Sequence, residues 1–388
     1  MAKNIVILLD GTSNQINGER TNVLRLYGCL KRNETQLVFY QPGVGTFGNL
    51  GWWSSLRSKA FILIGLATGA GIDDNVMEAY RFLVNRWEPG DNIYVIGFSR
   101  GAYTARLLTG FIRVFGLTKP EQDNLVRYAF RAYKNFGFTA ESKRFDDEIE
   151  HYQKVLQGKP IRVEFLGLWD TVASVFDRKS RFPWLTLKQK AYTNKNDRIK
   201  TVRQALAIDE HRTMFQPSLW TPDQKYQYWS YEKNGFDTVP QDFKEVWFTG
   251  CHTDVGGGQP EQKSALAKIP LEWLYREACD SGIKGDDVVF DLLAKGIGDN
   301  SGHYVPPSPT GKINESMNIA WAIVEFFPRR ILKTSLRLWP RLGRFYLPIF
   351  DRRKIPSKAV IHPSVDIRMK QMPDYRPRNL PGDHMFGS

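Results

Sequence analysis

The sequence predicts an α/β fold with a mostly parallel central sheet flanked by helices. Three observations carry this reading. Short apolar runs recur between longer stretches with helical spacing. The runs are continuous rather than alternating, as strands buried on both faces require. Turn and stop residues separate the two kinds of segment, as in successive β–α units.

The elements follow in order. Ile5–Leu9 reads as the first core strand; Asp10 breaks it, so it is too short for a signal peptide. The other candidate strands are Gln36–Tyr40, Asn92–Gly97, Arg162–Leu168, Val202–Ile208 and Val246–Thr249. Asp73–Arg86 reads as a helix that opens on Asp73-Asp74-Asn75 and stops at Glu88-Pro89-Gly90-Asp91. Gly101–Phe115 is the next. Residues 118–160 are polar, charged and helical in pattern, which predicts a helical hairpin inserted into the fold. Leu266–Ser281 gives a further helix, opened near Pro270. Phe61–Ile72 is apolar but Gly-rich, and short of the roughly 20 apolar residues of a membrane span. It reads as a loop or buried segment.

After residue 300 the character changes. "VPPSPTGK" resembles a linker. Phe326–Phe350 then mixes large apolar residues with Arg329, Arg330, Lys333, Arg337, Arg341 and Arg344, apart from any acidic residue. Residues 351–388 are Pro-rich and basic and read as extended.

The chain of 388 residues is long enough for one large domain or two ordinary ones. With 42% hydrophobic and 24% charged residues it has the balance of a folded soluble protein. A net charge of +13 favours acidic partners. Without a motif that reads RNA or DNA, nucleic acid is not among those expected. Cys29, Cys251 and Cys279 are too few for a disulfide framework and lack metal-type spacing. Buried free thiols and a cytoplasmic location are the expectation.

The stretch "NIYVIGFSRGAYTAR" (Asn92–Arg106) carries the chemistry. A strand that turns sharply into a helix strains its corner residue. Small residues two before and two after let the flanking backbone pass. Gly97-Phe98-Ser99-Arg100-Gly101 is such a G-x-S-x-G nucleophile elbow. It would hold the Ser99 hydroxyl at the carboxyl edge of the sheet. It would also set the Arg100 N–H at a helix N-terminus, where partial positive charge stabilises an oxyanion.

A nucleophilic serine needs a base, and the base an orienting acid. In α/β-hydrolases they follow in the order Ser, Asp/Glu, His. His252, in "GCHTDVGGG", follows a strand and would reach the same sheet edge. His211, in "IDEHR", is the competitor, whereas His151, His303, His362 and His384 sit in helical, linker or tail contexts. For the acid, Asp170 ends the strand "VEFLGLWD", with Asp209 and Asp254 as alternatives. Asp10-Gly11-Thr12 ends the first strand, and its N–H groups offer a second oxyanion donor.

In chain order, "LLDGTSNQ", "GIDDNVMEAYRFL", "EPGDNIYVIGFSRGAYTAR", "FLGLWDTV", "ALAIDEHRTMFQP" and "VWFTGCHTDVGGG" resemble the motif series of one α/β-hydrolase-domain family. So do "IPLEWLYREA" and the closing "HPSV…YRPRNLP". That family includes the class 1 phospholipase effectors of bacterial type VI secretion. The resemblance runs from residue 4 to about 382. It implies a serine hydrolase acting on acyl esters, phospholipids being the best-known substrates. Position by position it implies Ser99 as nucleophile, Asp170 as acid and His252 as base. The chain departs from the secreted effectors in size, since those often carry a large additional membrane-anchoring module.

The sequence therefore leads to an α/β-hydrolase-like catalytic domain over residues 1–300. Residues 301–388 form a basic, aromatic extension that packs on the domain or touches membrane. The expected reaction uses Ser99, Asp170 and His252, with Gly11, Thr12 and Arg100 around the substrate and with no cofactor. The expected partners are a lipid or other acyl-ester substrate and, through residues 326–350, anionic membrane. Delivery by a signal-less secretion system fits the resemblance. Two rivals stand: a metal-dependent hydrolase built on Asp10, Asp170, His252 and Asp254, and a non-catalytic binding protein on the same fold.

Overall fold

Each residue of the first strand, Asn4–Leu9 (β1), is buried. Ile5, Ile7 and Leu9 face one apolar core, while Val6 and Leu8 face another. Side chains alternate faces along a strand, so a strand covered on both sides admits a polar residue only where it finds a partner, as Asn4 does on the Gly282 carbonyl. The continuous apolar runs follow from this.

The computed structural model describes residues 2–11, 19–43, 71–135, 143–172, 192–230, 232–317 and 349–388, with short pieces at 321–322, 325–326, 329–330, 341–343 and 345–347. The strands after β1 are β2 (Gln36–Gln41), β3 (Asn92–Phe98), β4 (Val163–Trp169), β5 (Ile199–Ala207), β6 (Lys225–Ser230), β7 (Gly235–Pro240) and β8 (Asp242–Phe248). Beyond them lie β9 (Arg329–Arg330), β10 (Arg341–Leu342), β11 (Phe345–Tyr346), β12 (Val360–Ile361) and β13 (Met385–Phe386). Eight form one sheet in the order β13-β12-β8-β5-β4-β3-β1-β2. All its pairings are parallel.

Helices cover both faces. On one side pack α2 (Ile72–Arg86), α3 (Arg100–Phe115), α4 (Asp123–Asn135) and α5 (Lys143–Leu156), which bury Tyr80, Phe111, Phe130 and Leu156 in one core. On the other, α1 (Asn22–Cys29) and α7 (Lys268–Asp280) bury Leu26, Leu271 and Leu274. Helix α6 (His252–Gly256) is a short turn after β8, and α8 (Asp287–Phe290) follows α7. Residues 118–160 contain α4 and α5. The chain is thus an α/β protein with a parallel central sheet between two helical layers.

The topology matters for the site. From β1 the chain moves outward to β2, then returns to lay β3 against the other side of β1. Where strand order reverses, the carboxyl ends leave a crevice. Residues after β1 and β3 border it.

Residues 351–388, read from the sequence as extended, contain a helix, α9 (Pro363–Gln371). Proline sits at its first position, where the missing N–H loses nothing, and His362 caps the Ser364 N–H. The segment packs by Ile355, Ile361 and Val365 on Leu206, Ile208 and Trp247, and β12 and β13 extend the main sheet. Among the further elements that escaped the sequence reading are α1 and the antiparallel hairpin of β6 and β7. Both carried a signal. Thr21 caps α1 through its hydroxyl, and Asn234 takes φ 44° in the turn just before Gly235, which opens β7 against Ser230.

The apolar stretch of residues 61–70 lies outside the described residues. Among the described residues no helix is long and apolar enough to cross a membrane. Cys29 and Cys251 are buried, Cys279 is partly so, and all three are free.

Candidate active site

Ser99 joins β3 to α3 with φ 57° and ψ −120°. A side-chain-bearing residue enters such backbone only when its surroundings force it. The two flanking glycines provide the room. A Cβ on Gly97 would lie 2.6 Å from the backbone of Gly101, and one on Gly101 would lie 2.1 Å from the Leu9 carbonyl oxygen. The elbow thus crosses β1 in direct backbone contact. The Ser99 N–H donates to the Trp169 carbonyl at 3.0 Å, which ties the corner to the end of β4.

Asp170 follows β4, also at positive φ (40°). His252 opens α6 after β8. The fold brings these side chains together from positions up to 153 residues apart: His252 Nε2 lies 2.8 Å from Ser99 Oγ, and His252 Nδ1 lies 2.5 Å from Asp170 Oδ2. Burial alone would raise the Asp170 carboxyl. The Arg353 charge and the hydrogen bonds from His252 and Arg353 outweigh it and hold the group far below the carboxylate range. An ionised carboxylate can only accept. So Nδ1 carries the imidazole proton, and Nε2 accepts from the Ser99 hydroxyl. Burial also holds the His252 imidazole below its usual value, against the pull of Asp170. Phe98 and Phe215 wall the ring, with centroids 4.7 and 4.9 Å from it. Gly256 makes room for Phe98: a Cβ there would fall 1.8 Å from the Phe98 ring.

Three residues at the site went unread in the sequence. Arg353, from the segment before β12, donates from Nη1 to Asp170 Oδ1 at 2.5 Å and from Nη2 to Oδ2 at 2.8 Å. Glu210 and Arg212 follow β5 and pair through two parallel bonds of 2.9 and 2.8 Å. Glu210 Oε2 also accepts the His252 backbone N–H at 3.1 Å. Burial would raise the Glu210 carboxyl, but Arg212 outweighs it and holds the group down to about 2. The Arg212 guanidinium lies 3.7 Å from the Phe215 ring centroid and 5.4 Å from that of Trp321. A carboxylate and an arginine one residue to either side of His211 were the available signal.

The other candidates lie elsewhere. His211 lines a separate open cavity of about 370 Å³ with Asp209, Arg352 and Tyr375. Asp209 Oδ2 accepts from the Gly250 N–H and the Tyr375 hydroxyl at 2.8 and 2.7 Å. Asp254 accepts from the Cys251 N–H at 2.9 Å and from the Asn314 side chain at 2.5 Å, which braces the loop around His252. Asp10 accepts from the hydroxyls of Thr21 and Tyr40 at 2.6 and 2.8 Å, and its Oδ1 takes the Gly11 N–H at 2.6 Å. That bond aims the Gly11 N–H at Asp10 itself. Thr12 lies outside the described residues. Arg100 is the first residue of the 16-residue α3, so its N–H stands at the positive end of the helix dipole. Among the described residues no three His, Cys, Asp or Glu side chains converge as a metal-binding group.

These directions predict acid sensitivity. His252 is held below its unfolded value, so folding disfavours its proton, and stability is lost as pH falls through roughly 6.5. Asp170 is depressed, so its contribution is present above its unfolded value and is lost as pH falls below roughly 4. Melting temperature should therefore fall in both windows between pH 7 and 3, and His252→Gln should shrink the upper one, which His211 and His362, also held down by burial, share.

An α/β protein with a serine–histidine–aspartate chain of hydrogen bonds at the carboxyl edge of its sheet is the class that fold and site define. The family model "T6SS, Phospholipase effector Tle1-like, catalytic domain" matches residues 3–277, and the chain belongs to that family. A curated relative, "Uncharacterized protein YEL023C" of Saccharomyces cerevisiae, is 30% identical over 233 residues. The match covers 57% of this chain and 33% of that protein, so the chain spans about a third of the relative's length. Two solved structures are similar. One is an uncharacterized protein from Pseudomonas aeruginosa, with 19% identity, 73% of this chain and 46% of that chain covered, and a TM-score of 0.38. The other is the Tle1 effector bound to the VgrG spike of the type VI secretion system, with 13% identity, 90% and 89% covered, and a TM-score of 0.33.

Proposed function

We propose that this protein is a serine hydrolase that cleaves acyl esters of phospholipids. The observation that carries the reading is the hydrogen-bonded series Ser99–His252–Asp170, with the serine on a strained elbow. Membership of a phospholipase effector catalytic-domain family supports the substrate class. Ser99 Oγ attacks the ester carbonyl while His252 Nε2 takes its proton. Nε2 then gives that proton to the leaving alcohol. Asp170 keeps the proton of Nδ1 in place and stabilises the imidazolium. The Arg100 N–H receives the oxyanion. Water, activated by the same imidazole, releases the acid from Ser99. No cofactor enters these steps.

The decisive experiment is treatment with a fluorophosphonate and mass-spectrometric mapping, on wild type and His252→Ala. Labelling is expected at Ser99 of the wild type, with at least a hundredfold slower labelling of the variant. A folded wild type left unlabelled at Ser99 overturns the reading.

Contact with anionic membrane through residues 326–350 belongs to the same proposal, as does delivery by a signal-less secretion system. Most of that stretch lies outside the described residues. Phe326 and Phe350, at its ends, are exposed and meet edge to face at 6.2 Å. Replacing both with serine should reduce flotation with vesicles containing phosphatidylglycerol; undiminished flotation removes the segment from the proposal.

A further inference from the structure

Arg353 stands outside the matched catalytic region, which ends at residue 277. It is 183 residues from Asp170 in the chain, yet its guanidinium is wholly buried against that carboxylate. Nη1 and Nη2 each meet one carboxylate oxygen. The remaining donors are spent on two carbonyls, one in the short 3-10 turn Thr213–Phe215 and one at the end of β5: Phe215 accepts from Nη2 at 2.6 Å and from Nε at 3.1 Å, and Ala207 accepts from Nη1 at 3.1 Å. The Ala207 N–H in turn donates to Asp170 Oδ1 at 3.0 Å. Asn379 holds the Arg353 carbonyl at 3.0 Å and the Ile208 carbonyl at 3.1 Å, which locks the arginine's own backbone to the end of β5.

We infer that Arg353 is a positioning residue of the hydrolase: through Asp170 it sets the orientation of His252 and the pH at which that base becomes neutral. This rests on the Ser99 reading above. The argument is one of charge and geometry. A carboxylate held at one oxygen can rotate about its Cβ–Cγ bond. A planar fork on both oxygens stops that rotation and leaves Oδ2 with one direction open, toward Nδ1.

The charge balance works the same way. The groups facing His252 are Asp170 from the end of β4, Glu210 and Arg212 after β5, Cys251 beside it, and Arg353 behind Asp170; Asp254, on the same short helix, turns instead to the Cys251 N–H and the Asn314 side chain. Burial first, with help from Asp254 and Glu210, pushes the Cys251 thiol up to about 12, so it is neutral. Two carboxylates then face two guanidiniums, and the buried cluster is neutral when the imidazole is neutral. Protonating His252 would leave an uncompensated positive charge there. Without Arg353 the same proton would cancel a charge instead of creating one. The Asp170–His252 pair would hold it to higher pH and be unavailable as a base.

The test uses the full chain, p-nitrophenyl butyrate as probe, and Arg353→Lys and Arg353→Ala. Lysine keeps the charge and loses the fork. Its acidic limb in kcat/KM should stay within about 0.3 pH unit of wild type, with kcat down roughly tenfold. Alanine loses both. Its acidic limb should move up by roughly one unit or more, kcat should fall at least a hundredfold, and added guanidinium chloride at low millimolar concentration should restore part of it. An alanine variant that folds, shown by near-ultraviolet circular dichroism, with an unmoved limb and no rescue overturns the inference. So does failure of both variants to fold, which makes the role structural. If wild-type Ser99 resists the fluorophosphonate, the hydrolase reading itself has failed. Labelling of wild type with variants that behave like it rejects Arg353 alone.

Discussion

Replacing Ser99 with glycine is expected to abolish turnover and to leave a protein more stable than the alanine variant. Both substitutions remove the nucleophile, so kcat should fall by about 10³-fold or more. Both also lose the hydrogen bond to His252 Nε2. They differ in the Cβ. Inside a helix or strand glycine is the worse residue by roughly 0.5–1 kcal/mol of backbone entropy, but at a helix N-cap, where Ser99 stands, glycine already outranks alanine. Here the backbone stands at φ 57° and ψ −120°, where a Cβ carries strain of about 1–3 kcal/mol. The N-cap preference and the relief of strain act together, with glycine ahead by about 1–2 kcal/mol in urea denaturation. Alanine matching or exceeding glycine would show that the corner is unstrained. A glycine lead of that size would mean that stability is given up to keep a hydroxyl at the sheet edge.

The second large effect is expected at Gly101. An alanine Cβ there would sit 2.1 Å from the Leu9 carbonyl oxygen and 2.5 Å from that of Asp10. These are backbone atoms of a central strand, paired on both sides by β2 and β3. They have no rotamer to change, so α3 must move off the sheet or β1 must shift its register. Gly101→Ala should destabilise by about 3 kcal/mol, at the upper end of what overpacking does. It should also lower fluorophosphonate labelling, because the elbow moves with the helix. Gly382 is the control: a Cβ there meets nothing within 4 Å, and Gly382→Ala should stay within about 0.5 kcal/mol. Equal midpoints for the two variants would refute the steric account of the elbow.

The strands legible in the sequence were those with a continuous apolar run, which β1, β3 and β4 owe to burial on both faces; the edge strand β2, partly exposed, and β5, which buries Arg203 and Gln204, were legible by their remaining apolar residues. Six candidate runs coincide with β1 to β5 and the end of β8. The start of β8 hid behind Asp242, Lys244 and Glu245. Arg203 on β5 meets Asp242 at 2.8 Å and also binds Glu277, so these charged positions are satisfied by side-chain pairing at the amino end of the sheet. The hairpin of β6 and β7 escaped because its exposed positions include Trp229 and Phe236, which blur the polar–apolar alternation. Helix α9 escaped because a proline-rich composition outweighed a sound N-terminal pattern.

The sequence by itself determined the elbow. Its five residues are neighbours, and the sterics that require glycine on either side of Ser99 are local. It also narrowed the acid and base to strand-end candidates. It left His211 and His252 open, along with Asp170, Asp209 and Asp254, because a strand end says which edge a side chain occupies and not which neighbour it meets. Sheet order decided that. With β4 beside β3, and β8 two strands beyond β4, Asp170 and His252 reach Ser99, while His211 turns to another cavity. Arg353 was beyond reach for a further reason. No local pattern marks an arginine as the partner of a carboxylate 183 residues away. Only the packing of residues 353–365 onto the end of β5 and onto β8 brings its charge to the buried Asp170 carboxylate.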